Sequence, residues 1–102
     1  MSEHRIAITL KDNAAIPVPG HQTLRIGDTV VYVTDPPNLQ FRVEFPASPF
    51  ARSAQVIKDS TPHRVIREGK FECRCFITPK NGKEVGWRPD APQSGGEHDV
   101  KP

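Results

Sequence analysis

KFECRCFITPKNGKEVGW, residues 70–87, sets two cysteines two apart in a run patterned as a β-strand. With a period of two, Phe71, Cys73, Cys75 and Ile77 share one face, and Glu72, Arg74 and Phe76 share the other. The cysteine face is the one to bury, because a free cysteine behaves as a small hydrophobe. Cα atoms two apart on a regular strand are roughly 6.5–7 Å apart, at the far limit of disulfide geometry. A zinc site needs four ligands, commonly two well-spaced pairs. Here there is one close pair, while His4, His21, His63 and His98 stand singly. A buried strand is therefore the expected reading.

Working outward, the neighbouring segments are also strand-like. LQFRVEF, residues 39–45, alternates cleanly, with Leu39, Phe41, Val43 and Phe45 on one face. Gly27-Asp28 makes a turn into Thr29-Val30-Val31-Tyr32-Val33-Thr34, an apolar, β-branched run that Asp35-Pro36-Pro37-Asn38 stops. Ile6, Ile8 and Leu10 alternate with polar or small residues, and KDNAAIPVPGH reads as a connection with a short extended piece. Residues 46–62 are irregular, with a short helical turn expected around Ala51 to Val56. Strands are expected at His63 to Arg67 and at Glu84 to Arg88. Val31, Val33, Phe41, Val43, Phe45, Phe71 and Cys75 are the expected core.

Eleven prolines in 102 residues leave little room for long helices. Six to eight short strands with frequent turns point to an all-β fold of two packed antiparallel sheets. Residues 1–90 are expected to form one domain, and residues 91–102, with Ser94-Gly95-Gly96, a flexible tail. An acid and a base near the N-terminus, with no long apolar run, lead to the expectation of a soluble, cytoplasmic protein with reduced thiols. The net charge of +2 predicts no particular partner. Residues 39–88 hold ten Lys or Arg against five Asp or Glu, an excess read as a solvated outer face.

Three segments, in order, resemble the cupredoxins, the plastocyanin and azurin group. IGDTVVYV, residues 26–33, is similar to an early family strand. QFRVEF, residues 40–45, resembles the strand carrying the first histidine ligand. GKFECRCFITPKNGKEVGW, residues 69–87, resembles the C-terminal segment, where a strand ends at a ligand cysteine and a loop bearing histidine and methionine follows. The resemblance implies an antiparallel Greek-key β-sandwich of cupredoxin type. Type 1 copper takes two histidines, a cysteine and a weak axial methionine. Carried over, the cysteine falls on Cys75, the histidines on Phe41 and Thr78, and the methionine near Lys83. One ligand of four remains, so the resemblance implies the fold and argues against type 1 copper.

No catalytic constellation emerges. A thiol nucleophile needs a base in reach, and Arg74 points away from both cysteines. The expected role is a non-catalytic binding or interaction module for a protein or small ligand, without cofactor or membrane. Phe50 and Arg52, in the irregular segment, and Trp87 are the expected partner surface. The alternative is a copper-binding or electron-transfer protein using Cys73 and Cys75 with His63. A third reading, a nucleic-acid binder, rests on Arg42, Arg74 and Phe76 sharing an outer face.

Overall fold

Ile6 and Ile8 are almost wholly buried while Arg5 is exposed, the alternation of a half-buried strand, β1 (Glu3–Lys11). The structure, a computed structural model, describes residues 2–50 and 55–102. Asp12 and Asn13, both at positive φ, turn the chain into β2 (Ala14–Val18), which runs back antiparallel along β1. After β3 (His21–Arg25), β4 (Thr29–Asp35) joins the other side of β1, and β7 (His63–Arg64) closes that sheet. The first sheet thus has the order β2-β1-β4-β7. The second has the order β3-β10-β8-β5-β6, from β5 (Gln40–Glu44), β6 (Val56–Ile57), β8 (Gly69–Thr78) and β10 (Gly95–Lys101). β9 (Val85–Gly86) lies on β8 beyond the start of β10.

The expected all-β sandwich is present, but its sheets are mixed. β1 pairs β4 in parallel and β10 pairs β3 in parallel; the other pairs are antiparallel. The register of β1 on β4 also corrects the expected core. Ile6 aligns with Tyr32 and Ile8 with Thr34, so Val30, Tyr32 and Thr34 face inward, and Val33 is only half-buried on the outer side. Val31 is buried as well, on that outer side. Val43, Phe45 and Cys75 are core as expected, and Phe41 and Phe71 pack against its margin.

The expected flexible tail is overturned. Gly95–Lys101 is a central strand, hydrogen-bonded to β3 on one side and β8 on the other. His98 and Val100 alternate inward from it, at 1% and 3% exposure. A short 3-10 turn at Pro92–Ser94 leads into it. The strand expected at His63 to Arg67 is regular only over His63–Arg64. Of the helical turn expected around Ala51 to Val56, residues 51–54 lie outside the described part, and Val56 is extended.

The turn before β4 is held by one carboxylate. Asp28 accepts hydrogen bonds from the Ser2 and Arg25 backbone N–H groups and from His4 Nε2, at 2.9–3.0 Å. The Gln22 side-chain amide in turn donates to His4 Nδ1 at 3.1 Å. The Ser2 N–H, then the His4 contact, hold the Asp28 pKa down to about 2.

Candidate functional site

Four rings, from β4, the end of β5, β10 and the 46–50 segment, form the centre of the core. Tyr32 stacks on His98 with ring planes 9° apart, and Phe45 and Phe50 meet edge to face at 5.5 Å. The Tyr32 hydroxyl lies 2.6 Å from His98 Nε2. Burial raises the Tyr32 pKa well above its ordinary value, so the phenol keeps its proton and donates it to Nε2. Burial drives the His98 pKa down to about 4, countered weakly by the Glu97 backbone, and the imidazole is neutral at physiological pH.

Cys73 and Cys75 line the same interior, both buried. The Cys75 thiol hydrogen-bonds to Cys73; this bond, then burial, pushes the Cys75 pKa well up. The same bond pulls the Cys73 pKa down against the opposing effect of burial. His63 does not join them. It stands on β7, an edge strand of the other sheet, with its ring against Phe50 and Nε2 3.2 Å from Asp59. Among the described residues, no group of three or more His, Cys, Asp or Glu side chains is arranged to hold a metal ion.

The positions implied for copper ligands fare no better. Phe41 and Thr78 come together at one end of the second sheet, where they line an open pocket of about 370 Å3 with Gln40, Arg42, Lys58 and Glu84. A phenyl ring and a single hydroxyl are not a ligand pair for copper. Cys75 lies inside the strand, opposite Val43, rather than at its end. The donor set therefore does not fit type 1 copper.

What this end of the molecule does carry is a row of arginines on aromatic rings. Arg42 and Phe76 are cross-strand partners on the outer face, and the guanidinium sits 3.9 Å over the phenyl centroid. Nε and Nη2 of Arg42 each donate to Glu84 at 2.9 Å, a two-point bridge, and Nη1 donates to Glu44. One turn of the pleat away, Arg74 sits 4.0 Å over Trp87. The tryptophan is fixed from two sides. Its backbone N–H donates to the Cys75 carbonyl at 3.0 Å, and the ring lies so close to Gly95 that a Cβ there would come within 3.2 Å of it. Beyond the Arg42–Glu84 bridge a second concavity of about 580 Å3 opens, walled by Phe76, Trp87, the Asp12-Asn13 turn and the loop through Asp90 and Gln93.

The architecture now has known counterparts. A pseudoazurin from Sinorhizobium matches the whole chain, over 76% of its own length, at a TM-score of 0.61 and 16% identity. The fold is cupredoxin-like. A native pseudoazurin from Hyphomicrobium denitrificans covers 96% of this chain and 74% of its own, at a TM-score of 0.57 and 20% identity. A purple cupredoxin from Nitrosopumilus maritimus covers 96% of this chain and 99% of its own, at 0.54 and 14%. No protein-family model and no curated protein sequence matches the chain. Among the described residues no helix is long and apolar enough to cross a membrane. The expected cytoplasmic placement gains no support from the cupredoxin-like fold.

The three residues expected at a partner surface lie in different settings. Phe50 is 1% exposed and belongs to the core. Its segment folds back because the Pro49 carbonyl accepts from Ile66 and Arg67 N–H and Ser48 Oγ accepts from the Phe50 N–H. Arg52 lies outside the described residues. Trp87 is half-buried in the wall of the larger cleft. His98 was missed as a core residue; the alternation in EHDVK, residues 97–101, is its signal.

Proposed function

We propose that this chain is a non-catalytic binding module on a cupredoxin-like fold that does not hold copper in the type 1 manner. Its recognition surface is the end of the second sheet around β9, where two concavities flank the Arg42–Glu84 bridge. The observation that carries this reading is the exchange at the ligand end. Phe41 and Thr78, the positions to which the resemblance assigns the histidines, line an open pocket, while the Cys75 thiol is buried and hydrogen-bonded to Cys73. Small-molecule sites are concave, largely preformed and lined by a few placed polar groups around apolar walls. The arginine-capped rings and the two-point bridge supply such a preformed wall. A single-strand nucleic-acid binder offers open ring faces for bases. Here Arg42 and Arg74 already cover one face of Phe76 and of Trp87, which favours the other reading.

The test is titration of reduced, metal-free protein with Cu(II) and with Cu(I), following thiolate-to-copper absorption and metal stoichiometry. No intense band and no one-to-one uptake is the expected result. An intense visible band, or tight stoichiometric uptake abolished by Cys75→Ala, would overturn the proposal in favour of a metalloprotein.

A further inference from the structure

The two outer faces of the sandwich are unlike each other. A sheet with one side in water alternates apolar-in and polar-out. The second sheet does so, turning Gln40, Arg42 and Glu44 of β5 and Glu97 and Asp99 of β10 outward. The first sheet does not. β2 turns Ala14, Ile16 and Val18 outward, β1 turns Ala7, and β4 turns Val31 and Val33. Val18 is 51% exposed. Among the described residues every strand belongs to one of the two sheets, so no strand forms a third layer over this face. A contiguous apolar patch of this kind marks an interaction surface.

The charges around the patch select what covers it. The outward residues of β1 run Glu3, Arg5, Ala7, Thr9, Lys11, so an acid and a base stand four residues to either side of Ala7. Ala7 lies in a row across the sheet, between Val18 of β2 and Val33 of β4. A two-fold axis along that row stacks a second copy face to face, with β1 antiparallel to its counterpart. Val18, Ala7 and Val33 then meet their own equivalents, and Glu3 of each copy lies over Lys11 of the other. Aligned sheets cross at about 30°, an offset that the long side chains of Glu3 and Lys11 can span. Arg5 comes over Thr9 of the other copy, beside that copy's Asp35, the β4 neighbour of Thr9. Glu3, Arg5, Lys11 and Asp35 are exposed, and among the described residues none has an ion-pair partner within the chain. The alternative axis, along β1, sets Glu3 on Glu3 and Arg5 on Arg5 and is repulsive. We propose that this face is an isologous interface, and that its occupant is a second copy of this chain docked antiparallel across it.

The size of the patch sets the strength. About 30 Å along β1 by about 14 Å across three strands covers roughly 400 Å2 per copy, half of the ~800 Å2 of a standard interface. Association is therefore weak, with a Kd of about 0.1–1 mM. Sedimentation velocity of the full-length, reduced chain across about 0.02–2 mM should show a monomer–dimer equilibrium in that range. Val18→Lys should abolish it with the melting temperature unchanged. Glu3→Lys and Lys11→Glu should each weaken it about tenfold, because the two-fold makes both copies of the pair repulsive. The double variant Glu3→Lys/Lys11→Glu should restore it. A chain that stays monomeric at about 2 mM overturns the proposal, as does a dimer indifferent to Val18→Lys. Loss in both single variants without rescue in the double overturns the antiparallel docking. If monomeric chain instead partitions onto phosphatidylcholine vesicles and Val18→Lys prevents it, the face belongs to a lipid surface and the dimer is refuted. The copper titration and the binding-module reading stand or fall independently of these results.

Discussion

His98 makes the stability of this fold depend on pH in a window where few groups titrate. Its pKa falls from 6.5 to about 4 because burial disfavours the imidazolium. The sign follows from linkage: the unfolded chain takes up a proton near pH 6.5, the folded one only near pH 4. Stability is therefore complete above pH 6.5 and is lost as pH falls towards about 4. The gap of about 2.5 pKa units corresponds to about 3 kcal/mol in full, of which about 2 kcal/mol is gone by about pH 5. The assay is urea unfolding of wild type and His98→Gln at about pH 7 and about pH 5, followed by Trp87 fluorescence. The substituted glutamine does not titrate and can still hydrogen-bond the Tyr32 hydroxyl, while the other three histidines are common to both proteins. The variant should be less stable at neutral pH but should lack the loss of about 2 kcal/mol. An equal loss in both proteins would refute the assignment to His98, and a flat wild-type profile would refute the buried neutral imidazole.

Tyr32→Phe leaves Nε2 of His98 without its donor in a closed core and should cost about 1–3 kcal/mol by thermal or urea unfolding. Gly86→Ala puts a Cβ within 2.5 Å of Phe76 and of the Cys75 carbonyl, and overpacking of this kind should cost about 1–3 kcal/mol and displace β9. Both thiols should resist a labelling reagent in native protein and react on denaturation; rapid native labelling would contradict their burial. Asp28, held at a pKa of about 2 by its three donors, should contribute a second acid loss as pH falls from 3.8 towards 2. Asp28→Asn, unfolded by urea across that range, should flatten this second leg and leave the His98 leg in place.

The strands were legible wherever alternation ran for five residues or more. LQFRVEF and KFECRCFI came out with the expected faces, down to Phe76 and Arg42 meeting on the outer side. β4 was legible as a strand but not in its facing, because an all-apolar run carries no period. The core face of Val30 and Tyr32 is set by the isoleucines of β1 alongside, a contact between distant segments. β10 was hidden for a different reason. Two glycines and charged residues at 97, 99 and 101 read as solvated chain, yet a Cβ at Gly95 would crowd the indole at 3.2 Å and one at Gly96 would clash with the Gly20 carbonyl at 2.7 Å. Trp87 stands out in the sequence by its type. Its cleft could not, since Asp12 and Asn13 reach it only through the fold of the first sheet over the second.

The place of β10 also governs how this protein can be made. Among the described residues β3 has no partner but β10, and His98, which meets Tyr32 in the core, arrives on that same strand. A nascent chain therefore exposes the edges of β3 and β8 until residues 95–101 have left the ribosome. Closure of the second sheet follows synthesis of that strand rather than accompanying it. The half-made chain, with two unpaired edges and an uncovered aromatic core, is the state in which this molecule most needs a chaperone.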